Sequence, residues 1–234
     1  MRCLILRLDA PLMSFGGTVI DQHHPTEFFP GTSLLAGLVG NALGLHHRDA
    51  VHLQDLQSRL RHATRWDRTP EPVVDYQTVN LGQPHLVDTG WTTRGRRESR
   101  AGASSTGTHI RYRHYWANGC ATLAMTLSGP GRVTLDDVEA ALRHPARPLF
   151  IGRKTCLPSS PMLVRRCESE SLYRALETHP PLSPDAQRRV PACWPADESN
   201  PDGSEVEVHD LRDWAHQMHL GSNTRRRGMM EISG

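Results

Sequence analysis

IRYRHYWANGCATLAMTLS, residues 110–128, is the stretch whose reading decides the fold. On its first arm Ile110, Tyr112, His114 and Trp116 alternate with Arg111, Arg113 and Tyr115, the period of two that a strand requires. On its second arm Ala121, Leu123, Met125 and Leu127 alternate inward. Between the arms stands Asn118-Gly119, a dipeptide that tolerates positive φ in a two-residue turn. The spacing predicts a β-hairpin. Toward the N-terminus, PVVDYQTVNL at 72–81 reads as extended chain, and before it a helix starts at Asp49 with Leu53, Leu56 and Leu60 facing inward. Further back, Leu34, Leu35, Leu38, Val39, Ala42 and Leu43 recur at helical spacing, with Thr32 or Ser33 as N-cap and Gly44 as the stop. Gly37 and Gly40 inside that helix each cost about 1 kcal/mol against alanine, which predicts close packing of the helix on a sheet. RCLILRLD at 2–9, stopped by Pro11, reads as a buried first strand, and PLMSFGGT with Gly16-Gly17 follows it.

Toward the C-terminus, Thr134 caps a helix lined by Leu135, Val138 and Leu142 and ended by Pro145, and LFIG at 149–152 reads as a last short strand. Strand, helix, strand pair, helix, strand predicts an α+β, ferredoxin-like sheet with helices on one face. Residues 1–165 carry that domain. Residues 82–109 turn to Gly, Ser, Thr and Arg with few apolar anchors, which predicts a projecting insertion. Residues 166–234 form a C-terminal region expected to be partly irregular, since six prolines fall between 178 and 204 and only a short strand or helix near 205–220 and the tail TRRRG break them.

Charge excludes little globally and much locally. The 27 Lys+Arg and 25 Asp+Glu give a formal +2 over 234 residues. Residues 92–113, however, hold Arg94, Arg96, Arg97, Arg100, Arg111 and Arg113 against the single acid Glu98. Guanidinium forks among small hydroxyl residues, based on a strand of tyrosines and arginines, suit phosphate gripping and base stacking. A solvated charged loop is the plainer alternative. A second concentration is PLFIGRKTCLPSSP at 148–161, where Gly152 precedes Arg153 and Lys154, the sole lysine of the chain. There, bare backbone and two cations could cradle a bent phosphodiester.

No apolar run of 18 residues and no signal-peptide pattern occurs, so a cytoplasmic protein without a membrane span is expected. Cysteines 3, 120, 156, 167 and 193 are scattered with no C-x-x-C pair, which argues for reduced thiols and against a zinc site or disulfide framework. The pairs His23/His24 and His46/His47 and the group His209, His216 and His219 lack metal-ligand spacing. No metal and no cofactor is expected.

PLMSFGG, HPTEFFPGTSLLAGLVGNALGL with its HHRD continuation, DYQTV at 75–79 and PLFIGRKTCLPSSP together resemble the CasD subunit family of the CRISPR type I-E Cascade complex. That family lies within the repeat-associated RNA-binding superfamily. The resemblance covers roughly residues 1–165. It implies an RNA-recognition-motif-like ferredoxin fold with a thumb at about 82–109, and antiviral defence through RNA binding without catalysis. It further implies that the chain holds the 5′ handle of the CRISPR RNA and caps the backbone filament of CasC subunits. The large subunit CasA is seated beside it, and target DNA is met only through the complex. On this family's pattern Ser14, Phe15, Gly16, Gly152, Arg153 and Lys154 meet the handle. Tyr76, the thumb arginines, Arg111 and Arg113 complete the expected RNA-binding set. The rival function is a metal-independent endoribonuclease processing CRISPR repeat RNA, for which Tyr76, His109 or His114, and Lys154 offer the residue types.

Overall fold

The computed structural model describes residues 1–80, 90–91, 97–98, 108–183, 185–198 and 203–234. In chain order the elements are β1 (Arg2–Asp9), β2 (Leu12–Met13), β3 (His23–His24), α1 (Thr32–Ala42), α2 (Ala50–Arg59), β4 (Leu60–Arg68) and β5 (Glu71–Asn80). Next come β6 (Gly90–Trp91), β7 (Arg97–Glu98), β8 (Thr108–Ala117), β9 (Cys120–Leu127), α3 (Leu135–Arg143), β10 (Leu163–Glu168) and α4 (Leu172–Glu177). The chain closes with β11 (Arg189–Pro195), β12 (Ser204–Val208), β13 (Arg212–Asp213), β14 (Met218–His219) and β15 (Asn223–Glu231).

The main sheet runs β10-β1-β9-β4-β11-β15-β12, and its neighbours pair antiparallel. β1 lies inside it and is buried on both faces. Leu4, Leu6 and Leu8 join one core with Leu35, Val39, Leu56, Val138 and Leu142, whereas Cys3 and Ile5 join another with Leu172, Leu176, Val190 and Trp194. The α1, α2 and α3 helices therefore cover one face of the sheet, and α4, from the C-terminal region, covers the other.

The predicted hairpin is not formed. β9 pairs with β1 and β4, while β8 belongs to a second sheet in which it pairs with β2, β3 and β5. The β4–β9 ladder ends at Arg68 opposite Cys120 and the β5–β8 ladder begins at Glu71 opposite Ala117, so one antiparallel ribbon bends at this corner. Asn118 has φ 57°, and a Cβ on Gly119 would meet Pro70 at 2.7 Å and Trp66 at 2.8 Å. Asn-Gly here turns a corner between sheets.

β4 escaped the sequence reading because polar residues are buried among its apolar Leu60, Ala63 and Trp66. His62, Thr64, Arg65 and Asp67 are all buried within it. Arg65 survives there because Nε donates to Asp67 Oδ1 at 2.7 Å and the other guanidinium nitrogens donate to the carbonyls of Leu176, His179 and Pro180, at 2.8 Å for His179 and 2.9 Å for Pro180. Thr122 donates to Asp67 in turn. A buried charge whose every nitrogen donates a hydrogen bond offsets much of its desolvation cost.

Other expectations are corrected at the level of single segments. Residues 149–152 are not a strand; Ile151 N donates to Cys156 O and Cys156 N to Arg153 O, both at 2.8 Å, and this loop precedes β10. From the C-terminal region, expected to be partly irregular, β11, β15 and β12 extend the main sheet. Pro191 and Pro195 of β11 have no N–H to give, and its ladder to β4 is only Ala192–Arg65 and Cys193–Thr64. Helix α1 has Gly31 as N-cap, with no side-chain cap of its own. Asp210 supplies one from the far end of the chain: its Oδ2 accepts from Thr32 N at 2.6 Å and its carbonyl accepts from Ser33 N at 3.1 Å. Gly37 and Gly40 do mark close packing, against Trp214 and Leu53 and not against a sheet.

Candidate functional site

A groove of about 990 Å³ lies between three walls. One is the turn after β2, Ser14 to Thr18, together with the loop 147–157; the second is the exposed side of α1; the third is the segment 207–214 with Arg227 of β15. It gathers Ser14, Phe15, Gly16, Gly152, Arg153 and Lys154, six of the expected site residues, from segments far apart in sequence.

Glycine is what lets the first wall close. Gly152 has φ +91°, and a Cβ added to it would fall inside the Ser14 carbonyl. Ser14 N in turn donates to Ile151 O at 3.2 Å, so the two loops are joined backbone to backbone. Gly16, at φ +81°, has nothing within 4 Å of the position its Cβ would take, which leaves bare main chain facing the groove. Ser14 itself is buried, with Oγ at 3.5 Å from His114 O. Phe15 is also buried, its ring centroid 5.8 Å from that of Trp66. Phe15 N donates to Thr26 Oγ1 at 2.8 Å, so Phe15 braces the groove wall and leaves no amide of its own free there.

The adjacent cations differ in role. Arg153 is half-buried: Nη1 donates to His114 O and Nη2 to His24 O, each at 3.0 Å, and its guanidinium carbon lies 4.5 Å from the Tyr115 ring centroid. It ties the loop to β8 and β3. Lys154 is exposed, and no hydrogen bond or ion pair holds it among the described residues. Arg147, which the sequence reading passed over, donates to Asn41 Oδ1 at 2.7 Å and to the carbonyls of Gly44 and Leu45, closing the C-terminus of α1. Arg227 stands 5.9 Å from the Phe29 centroid and 3.8 Å from Glu27. The third wall was missed as well; the basic tail TRRRG was its only signal, and it lies in β15.

Beside the groove rises the β5–β8 ribbon. Tyr76 is exposed, its ring centroid 5.3 Å from that of Tyr112, and His23 stacks on Tyr112 at 4.8 Å with 7° between the planes. Arg111 and Arg113 alternate to the opposite face, next to Gln77 and Asp75. Arg111 is exposed and donates to Ile110 O at 2.9 Å. Burial, followed by Arg153, Arg113 and Arg111, holds the His24 imidazole below its usual range. His114 lies on the ribbon too, and its carbonyl accepts from Arg153, so the groove and the ribbon share a hinge residue. Arg94, Arg96 and Arg100 lie outside the described residues, and Arg97 is described by its backbone alone, paired with Trp91.

Comparison with known proteins gives concordant findings. The family described as CRISPR-associated protein (Cas_Cas5) matches residues 3–226. The CRISPR system Cascade subunit CasD of Escherichia coli (strain K12) is 30% identical over 182 residues, 78% of this chain and 79% of that protein. Among solved structures, a chain of a CRISPR RNA-guided surveillance complex superposes with TM-score 0.72 at 23% identity, covering 98% of this chain and 90% of the other. A crystal structure of a Cas protein superposes with TM-score 0.66 at 23% identity, covering 98% and 95%.

Proposed function

We propose, for a chain that belongs to the CRISPR-associated protein (Cas_Cas5) family, that it is a non-catalytic Cascade subunit whose groove holds the 5′ handle of the CRISPR RNA. The observation that carries this reading is the joining of Ser14 to Gly152 at the groove wall, with Gly16 main chain and the Lys154 ammonium on the same side. Amide groups and one unengaged cation suit a kinked phosphodiester track, which needs close backbone approach and charge but no side-chain bulk. The ribbon adds stacking surface at Tyr76 and Tyr112 and charge at Arg111 and Arg113.

Strand order β10-β1-β9-β4, with α1 and α2 between β1 and β4 and α3 between β9 and β10, corresponds to the split β-α-β-β-α-β arrangement of ferredoxin-like domains. The β5–β8 ribbon is the stalk of the thumb. Capping of a CasC filament, contact with CasA and a cytoplasmic location belong to the same proposal. No described helix is long and apolar enough to cross a membrane. A non-catalytic role belongs to the same proposal, and the His216–Asp213 ion pair lies off the groove.

Lys154→Glu tests the reading with the least structural disturbance. With single-stranded repeat RNA titrated across salt concentrations, the variant should keep its circular dichroism spectrum and bind more weakly. Its slope of log K against log salt should shrink by about 0.7 for each phosphate that the ammonium neutralises. An unchanged slope overturns phosphate cradling in the groove. The RNA should also stay intact in EDTA; cleavage there that disappears in His114→Ala establishes the ribonuclease instead.

A further inference from the structure

Cys3 and Cys167 stand directly opposite each other on the antiparallel pair β1–β10. Their sulfurs are 3.0 Å apart although both cysteines are free thiols. Opposed residues on antiparallel strands have Cα atoms about 4.5–5.5 Å apart, inside the span a disulfide bridges, so the sulfurs need only close by about 1 Å. Cys3 is fully buried under α4, whereas Cys167 is half-buried on the edge strand and reachable from solvent. We propose that Cys3 and Cys167 are a thiol pair that oxidises reversibly to an intramolecular disulfide, stapling edge strand β10 to β1.

The chemistry assigns the two sulfurs different parts. A peroxide reaches Cys167 first; the O–O bond breaks, Cys167 Sγ becomes a sulfenic acid and one water leaves. Cys3 Sγ then attacks Cys167 Sγ, the S–O bond breaks, and the second oxygen leaves as water with the Cys3 proton. Two thiols are oxidised and one peroxide is reduced to two waters. Burial, with the hydrogen bond to Cys167, pushes the Cys3 thiol up to about 12, so Cys3 serves as the resolving thiol, aided by contact and not by acidity. Thiols at Cys120, Cys156 and Cys193 are buried and have no such partner among the described residues. The site is separate from the groove, and its existence does not depend on the RNA reading.

The consequence is mechanical. β10 is the edge of the main sheet, and its ladder with β1 is interrupted by a register shift between Ile5 and Leu6. A crosslink between residues 164 positions apart removes much of the freedom of the unfolded chain. For a domain of this size it should raise the melting temperature by about 5 to 15 °C.

The experiment oxidises the folded full-length chain with hydrogen peroxide, blocks remaining thiols with N-ethylmaleimide under denaturing conditions, and maps peptides by mass spectrometry. The expected result is a crosslinked Cys3–Cys167 peptide, alkylation of the other three cysteines, a higher melting temperature and full reversal by dithiothreitol. Cys167→Ser should abolish both the crosslink and the thermal shift, and Cys3→Val should do the same from the buried side. Should Cys3→Val fail to fold, Cys167→Ser alone decides. Alkylation of all five cysteines, a crosslink elsewhere, or Cys167 sulfinic acid beside a free Cys3 overturns the proposal.

Discussion

Gly152, Arg153 and Lys154 are consecutive residues with three different duties: backbone clearance, internal clamp and exposed charge. Sequence made their cluster visible because a glycine before the sole lysine is unusual in an arginine-rich chain. It did not separate the duties, because a guanidinium committed to the His24 and His114 carbonyls reads the same as a free one. The clearance can be weighed by a pair of substitutions. Gly152→Ala and Gly129→Ala both force a residue with Cβ into positive φ, at +91° and +64°. Only the first also meets backbone, since Gly129 has open space within 4 Å. Gly129→Ala should cost about 1 kcal/mol in urea unfolding. Gly152→Ala should cost at least about 2 kcal/mol more, and should weaken RNA binding as well. Equal costs would mean that the Ser14 carbonyl gives way freely. Arg65→Met provides a second residue-scale test: it leaves Asp67 buried with its charge partner gone, and should lower stability by about 3–5 kcal/mol, read from the same unfolding curves.

At the scale of elements, helical periodicity located α1, α2 and α3, and apolar or alternating runs located β1, β5, β8 and β9, although β1 and β9 prove to be buried on both faces. They could not tell a hairpin from a ribbon bent between sheets. Both put Asn118-Gly119 between two alternating strands, and the choice lies in Pro70 and Trp66, which crowd Gly119 from the other strand. Likewise β4 was hidden because Arg65 and Asp67 look like surface residues until the carbonyls that accept from Arg65 and the Thr122 hydroxyl that donates to Asp67 are known. LFIG was misread as a strand since apolar runs also anchor loops, here through Ile151 in the core. Helix α1 shows the same dependence on distant chain, its first turn being capped by Asp210, which also accepts from Asn223 at 2.8 Å through its second oxygen. Asp210→Ala should therefore destabilise by about 1–2 kcal/mol, as removal of an N-cap does. It should also increase amide exchange at Thr32 and Ser33 above that of α3, whose Thr134–Asp137 capping box is intact. Unchanged exchange at Thr32 would show that the cap contributes nothing to the helix start.

Across the whole molecule, the sheet is a single seven-stranded surface whose central polar strand β4 is held by both the helical half and the C-terminal strands. His62 of β4 is fully buried between Thr32 Oγ1 and the Arg225 guanidinium of β15, each at 3.4 Å. His179 is buried beside Arg65 and Arg165. Burial first, then Arg225, holds His62 well below its usual range; burial first, then Arg65, Arg165 and Arg7, brings His179 down to about 4. Both groups are neutral in the folded state and free to ionise in the unfolded one. Their contribution to stability is thus complete above the unfolded pKa, near 6.5. As pH falls below it the unfolded chain takes up protons that the folded chain refuses, and stability declines, down to about pH 4 for His179. His216, exposed and held up by Asp213, acts in the opposite direction at the surface. Each buried imidazole should contribute up to about 1.4 kcal/mol per pH unit in this window. Urea unfolding at pH 7, 6, 5 and 4.5 should accordingly show falling stability, and His179→Gln should remove about half of the slope while leaving stability at pH 7 within about 2 kcal/mol. A stability that stays flat from pH 6.5 to 4.5, or a His179→Gln slope equal to that of the parent chain, would mean that water reaches these imidazoles and that the seam between β4 and the C-terminal strands is looser than its hydrogen bonds imply.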